Sequence, residues 1–257
     1  MAPGKPNAVT LIRAAGGRRR HTPQEQPLAK AENHLIELLP KTVRLRLQAL
    51  CEPVDLVSSD VLCERGATIE HVYFPVHGSI SLLTQVDEHA SLEVAMVGRE
   101  GMFGAELALG MLHSPLRALV QGPGASWRVG SVAFRRELLR SAALREAVQR
   151  YLRVVLAQMA SSAACLRFHL IQPRLARWLL MSADRAHAGQ FHVTHEFLAG
   201  MLGVRRVGIT VAAGTLQRDG FISYRRGEVT VLDRRGLEAA ACSCYASERM
   251  AYITALG

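Results

Sequence analysis

The stretch from Thr194 to Leu232 constrains the fold of this chain more than any other part of it. Thr194 is placed to cap a helix over His195–Leu202, because its hydroxyl can accept from an orphan backbone N–H of the first turn. A second helix is expected from near Val204 or Arg205 to about Arg218. Between the two stands Gly203, free to adopt the left-handed conformation that a sharp helix-to-helix turn demands. Ala199 is small enough for the helices to cross closely, and Ile209 is apolar and placed to lock the second helix onto the first. This spacing is the packing requirement of a helix-turn-helix. Gly220 then ends the second helix, and Phe221–Tyr224 and Glu228–Leu232 read as two strands of a wing around an Arg225-Arg226-Gly227 turn.

A second helix that enters the major groove and a wing whose tip carries two arginines suit duplex DNA. The alternative is an ordinary helical pair followed by a hairpin with solvated arginines. The formal charge of +9 also favours an acidic partner, since a basic surface releases counterions from a polyphosphate when it binds. Charge alone does not distinguish DNA from RNA or an anionic membrane.

Upstream, the texture is that of a β domain. Short runs rich in Val, Ile, Leu and Thr occur at 61–63, 71–76, 79–84, 93–97, 118–121 and 126–129, with turn residues such as Gly66, His77-Gly78, Gly98 and Gly122-Pro123-Gly124 between them. Many short strands at regular spacing indicate a sandwich or barrel. A helix is expected over 33–51. A second, long one is expected over 137–168, where Leu144, Val148, Tyr151, Val155, Met159, Ser162 and Leu166 recur at steps of three and four. That seam suits a parallel partner helix and hence a homodimer, or packing on the chain's own β domain. The first thirty-odd residues, with Arg18-Arg19-Arg20 and several prolines, read as a flexible basic tail.

These readings divide the chain into a tail (1–33), a β domain (34–136), a long helix (137–168) and a winged helix-turn-helix domain (169–257). The fold class is α+β. No run approaches the length of apolar residues that a membrane span requires, and no signal-peptide core opens the chain. Five scattered cysteines argue against a disulfide framework, so a cytoplasmic location is expected. An enzyme would need a nucleophile with a base, paired carboxylates, a phosphate-cradling loop or a metal cluster, and none stands at a recognisable spacing.

From about His34 onward the sequence resembles the Crp-Fnr superfamily of transcription regulators. Val193–Leu232 carries the resemblance most specifically, and Tyr73-Phe74-Pro75-Val76-His77-Gly78-Ser79-Ile80 looks like the family's roll hairpin. The resemblance implies that 34–136 is a sensor domain, a cyclic-nucleotide-binding-like double-stranded β-roll of jelly-roll type, that 137–168 is a long dimerisation helix, and that the chain binds as a homodimer to an inverted-repeat operator. The guanine-reading arginine of the cyclic-AMP-responsive members matches Arg206; the serine before it is Arg205, the acidic residue after it is Val207, and a second base-reading arginine falls on Val211. A valine touches only a thymine methyl, so a different operator is expected. Candidate DNA contacts are Thr194, His195, Arg205, Arg206, Val207, Thr210, Arg225 and Arg226.

In the family, cyclic nucleotide is held by a Gly-Glu-Leu segment and an Arg-Ser or Arg-Ala pair. This chain has Phe103-Gly104-Ala105-Glu106-Leu107, with an inserted alanine, and Arg117-Ala118. Glu106, Arg117 and Ala118 are therefore the candidate effector residues, for a cyclic nucleotide, another small molecule or no effector at all. RNA polymerase is the further partner of an activating member, although nothing in the sequence marks a surface for it. The redox members' cysteine cluster is missing, as no cysteine precedes Cys51. Cys242-Ser243-Cys244 offers two thiolates, but nothing nearby completes a ligand set, and no metal site is expected. His187, His192 and His195, as a zinc site, and His71, His77 or His169, as a haem ligand, have more ordinary structural roles available. The competing function is a ligand-binding signalling module that does not read DNA directly.

Overall fold

The computed structural model describes residues 33–87, 90–186 and 189–257, all within the compact unit 31–257. The basic tail and His187 lie outside these residues. Asn33, expected at the end of the tail, is fully buried: its carbonyl caps α1 (His34–Glu37) by accepting from the Ile36 N–H, and its amide donates to the Pro75 and Gly101 carbonyls. The helix expected over 33–51 is two helices, α1 and α2 (Lys41–Gln48), because Pro40 cannot continue the first and starts the second.

Among the described residues seven strands form the roll: β1 (Glu52–Leu56), β2 (Val61–Cys63), β3 (His71–Pro75), β4 (Ser79–Asp87), β5 (Ala90–Val97), β6 (Arg117–Gly122) and β7 (Gly124–Gly130). They make two antiparallel sheets, ordered β1-β7-β3 and β2-β6-β4-β5. The sequence reading missed β1, whose Pro53 and Asp55 interrupt the apolar pattern; it lies along β7 with Leu56 buried. The 73–80 segment is not a simple hairpin. β3 pairs with β7 in one sheet and β4 with β6 and β5 in the other, so the turn carries the chain between sheets. Between them lies a core of Ile69, Val72, Phe74, Ile80, Met102, Phe103, Val120 and Val129.

The long helix also begins later than expected. Ser141 is extended and ends α3 (Ser131–Arg140); its hydroxyl then accepts from the Leu144 N–H to start α4 (Ala142–Phe168). Much of the expected partner seam faces the chain's own roll: Leu144, Val148 and Tyr151 are buried in the roll core, and Val155 and Met159 pack partly against it. Leu156, Ala160 and Ala163 remain exposed on a neighbouring face of α4, where Leu156 borders the groove between the helix and the roll.

Beyond α4 come α5 (Ile171–Ala186), β8 (Gln190–His192), α6 (His195–Leu202), α7 (Arg206–Arg218), β9 (Ile222–Arg225), β10 (Glu228–Val231), α8 (Arg234–Ala240) and α9 (Cys244–Leu256). A second core of Leu175, Trp178, Leu179, Leu198, Ile209, Leu216 and Val229 holds this head together and takes in Leu83 and Met96 from the roll. The expected domain 169–257 is divided in space, since α9 runs back along α4 and buries Leu256 in the roll core. Among the described residues no single helix is long and apolar enough to cross a membrane.

Candidate nucleic-acid interface

Helix α6 starts where its cap dictates, with the Thr194 hydroxyl oxygen accepting from the Phe197 N–H at 3.1 Å. It ends on Gly203, which has φ of 60° and lets the chain reverse so that α7 follows after a bend of 109°. Ala199 and Ile209 are buried at the crossing. With Ile209, Ala212, Ala213 and Leu216 facing the core, the opposite stripe of α7 faces solvent: Arg206, Val207, Thr210, Val211, Gln217 and Arg218 are exposed, as is Arg205 at its N-cap.

The wing is a three-stranded sheet ordered β8-β10-β9. Arg225 pairs with Glu228, so its turn is only Arg226-Gly227, with φ of 52° and 86°. Two left-handed residues in succession make the type I′ geometry that matches strand twist, and they leave Arg225 and Arg226 exposed at the tip. Between wing and α7 is an open groove of about 430 Å³, lined among others by Thr194, His195, Arg206, Gln217, Tyr224 and Arg226.

Two residues that sequence reasoning missed set that groove. The Gln217 side-chain oxygen accepts from the Tyr224 N–H at 2.8 Å, and the Tyr224 hydroxyl donates to the Val193 carbonyl at 2.6 Å, tying the end of α7 and the start of α6 to the wing. Neither residue carries charge, and each acts only through folding, so no local pattern marked them.

A Crp-like helix-turn-helix domain matches residues 173–240. Solved structures share the whole arrangement. FixK2 from Bradyrhizobium japonicum superposes with a TM-score of 0.64 at 15% identity, covering 75% of this chain and 98% of FixK2. The c-di-GMP-responsive global regulator CLP of Xanthomonas campestris gives 0.59 at 17%, covering 75% and 99%. A CRP-family transcriptional regulator from Thermus thermophilus gives 0.58 at 21%, covering 73% and 96%. No curated protein matches the sequence. The head is a Crp-like helix-turn-helix, and the roll shares the fold of these solved structures. The Crp-like helix-turn-helix makes the head a DNA-binding domain of the kind that transcription regulators carry.

Within the Crp-like domain the candidate contacts divide into two groups. Arg205, Arg206, Val207, Arg225 and Arg226 are exposed, with Arg206 held only loosely by Glu196 at 3.8 Å. His195 and Thr210 instead face each other at 3.0 Å, the Thr210 hydroxyl also reaching the Arg206 carbonyl, while the imidazole packs edge-on against Tyr224. Burial, with the neighbouring Arg206 charge, lowers the His195 pKa, and the ring, set between Thr210 and Tyr224, shapes the groove. His192 pairs with Glu228 at 2.7 Å on the outer edge of the wing.

The candidate effector residues are not brought together. Glu106 lines a cavity of about 340 Å³ between roll and α4, whose walls include Leu82, Met102, Phe103, Leu152 and Leu156. Arg117 is absent from that lining; it pairs with Glu64 at 3.1 Å, and Ala118 is fully buried in the roll core. Burial raises the Glu106 pKa, the opposite of what a site with a fixed cation beside it would do. At the junction of roll and head the fold also gathers Cys165 and His169 against Cys242 and Cys244, supplying the partners that the local sequence around the Cys-Ser-Cys segment lacks.

Proposed function

We propose that two copies of this chain pair through α4 and read an inverted-repeat operator, each placing α7 in the major groove with Arg225 and Arg226 on the flanking phosphates. The observation that carries this reading is the exposed face of α7: Arg205, Arg206, Val207, Thr210 and Val211 stand outward beside a wing tip that carries two further arginines. An arginine binds guanine O6 and N7 with two hydrogen bonds, and an exposed valine fits a thymine methyl, so Arg206 with Val207 and Val211 specify a mixed half-site. The cytoplasm is the location that agrees with this role.

Selection of bound duplexes from a random pool tests the proposal; recovery of a palindrome with half-sites about one helical turn apart supports it. Arg206→Ala is expected to lose about 1–3 kcal/mol of discrimination, and Arg225→Ala to weaken binding to all duplexes alike. Equal losses on selected and random DNA for both variants would refute this division. Binding that does not weaken as salt rises would instead favour a signalling module that makes no phosphate contacts.

Pairing through α4 rests on its exposed apolar face. Leu156 is 65% exposed, one turn before Ala160, whose small side chain permits close approach of a second helix. Leu156→Asp is expected to give a monomer in sedimentation equilibrium and to lose binding to the full palindrome. A dimer of unchanged affinity would place the interface elsewhere.

The cavity at Glu106 supports a small effector of a particular kind. Its largely apolar walls and the raised pKa of Glu106 suit a largely apolar molecule; Arg117 is engaged elsewhere, and the arginine that lines the cavity is Arg153 of α4. RNA polymerase is the further partner if the regulator activates transcription.

A further inference from the structure

We infer that Cys165, His169, Cys242 and Cys244 form a binding site for a single zinc ion that clamps the end of α4 to the α8–α9 connection. One ligand atom from each residue lies within 4.8 Å of the other three. The Cys165 and Cys242 sulfurs are 3.6 Å apart, and the Cys244 sulfur is 3.6 Å from His169 Nδ1. A tetrahedral zinc with Zn–S of about 2.3 Å and Zn–N of about 2.0–2.1 Å requires edges of about 3.8 Å between sulfurs and about 3.6 Å from sulfur to nitrogen. Two of the six edges therefore already match the polyhedron that this ion needs, and the other four are within 4.8 Å.

The donors come from two segments separated by more than seventy residues in sequence. Cys165 and His169 sit one turn apart at the end of α4, on one face of the helix, while Cys242 and Cys244 flank Ser243 at the start of α9. All three thiols are buried, with Cys165 only 1% exposed. Three cysteines and a histidine form a closed donor set, which is the character of a structural zinc site. Four thiolates are the usual set for an iron–sulfur cluster, one on each of four irons or two on each of two, and this compact set of three sulfurs and an imidazole fits one ion better.

The surrounding charge agrees. Three thiolates around a divalent cation leave one net negative charge, and the Arg174 and Arg177 side chains line the same small cleft as Cys165. Arg174 also donates to the Leu202 carbonyl at the end of α6, and Arg177 pairs with Glu248 of α9 and reaches Ser162 of α4. The backbone between α4 and α5, at His169 and Leu170, is where the head leaves the long helix. An ion here would hold that hinge and, through Arg174, the reading turn beyond it.

The test is metal analysis of the full chain purified from cells grown with zinc, followed by replacement with cobalt. The inference requires one zinc per chain, released by a thiol-specific mercurial. The cobalt form should show thiolate-to-metal charge transfer with intense tetrahedral d–d bands. Cys242→Ser combined with Cys244→Ser should lower zinc content about tenfold or more, whereas Cys51→Ser should leave it unchanged. Wild-type chain without zinc, or with a Cys165 disulfide in place of the metal, overturns the inference. So does a cobalt spectrum without thiolate bands, a result that does not depend on whether the double variant folds. No DNA is present in these measurements, so they stand apart from the operator reading.

Discussion

Replacing Glu100 by alanine is expected to cost about 3–5 kcal/mol of stability, because it removes the carboxylate that accepts the hydrogen bonds of a buried guanidinium. Arg185 of α5 has a side chain only 10% exposed, and Glu100, in the loop after β5, is 18% exposed. The Arg185 Nε and Nη2 groups donate to Glu100 Oε1 at 2.9 and 2.7 Å. Its Nη1 and Nη2 groups also reach the Met181 and Met96 carbonyls, at 3.0 and 3.3 Å. Glu100 in turn accepts from the Gly98 N–H, which fixes the loop that presents it. An arginine does not shed its proton at any accessible pH, so burial without a partner cannot be relieved by neutralisation. Urea titration measures the effect, with Glu100→Gln as a comparison that keeps an acceptor and removes only the charge. A loss below about 1 kcal/mol for the alanine variant would mean that water replaces the carboxylate and that the pair contributes no more than a surface one.

Glu93→Gln is expected to do the reverse, raising stability above neutral pH by up to about 3 kcal/mol. Glu93 of β5 is buried, and burial lifts its pKa from 4.5 to about 7 against the opposing pull of hydrogen bonds from Ser81 and Trp178 and of the Arg185 and Arg177 charges. The Trp178 indole donates to it at 3.0 Å, so the carboxyl joins the roll to α5. In the unfolded chain the same group ionises near its ordinary value, so the folded state binds the proton more tightly. The stabilisation is complete below about pH 4.5, declines as pH rises, and is lost by about pH 7. Glutamine keeps the acceptor for Trp178 and never has to ionise. Melting temperatures measured from pH 5 to 8 should therefore fall for the wild type and stay flatter for the variant. Parallel curves would show that Glu93 ionises in the fold as easily as in water.

Both side chains are ordinary in sequence, and this sets the limit of what was legible there. Glu100 sits in a Gly-Arg-Glu-Gly turn, and nothing local links it to Arg185, 85 residues away. The seam on α4 shows the same limit from the other side. Its three-and-four spacing correctly marks an apolar face, but spacing does not say whether that face meets a partner or the chain's own sheet. The structure gives Leu144, Val148 and Tyr151 to the roll and leaves Leu156 outward. The division of the first helix at Pro40 was open to sequence reasoning, since proline marks a helix start, whereas β1 was hidden by its own Pro53 and Asp55.

What the sequence determined by itself is the reading head. Thr194, Gly203, Ile209, Gly220 and Gly227 lie within some thirty-five residues. Capping, left-handed turns and period-matched burial are local physics that needs no knowledge of distant contacts. Tertiary structure alone decided the rest: the withdrawal of Arg117 from the cavity, the return of α9 to the roll, and the meeting of Cys165 and His169 with Cys242 and Cys244. Each of these joins segments whose separation along the chain carries no periodic signal. Their proximity is set only when two sheets, a long helix and the head close around common cores.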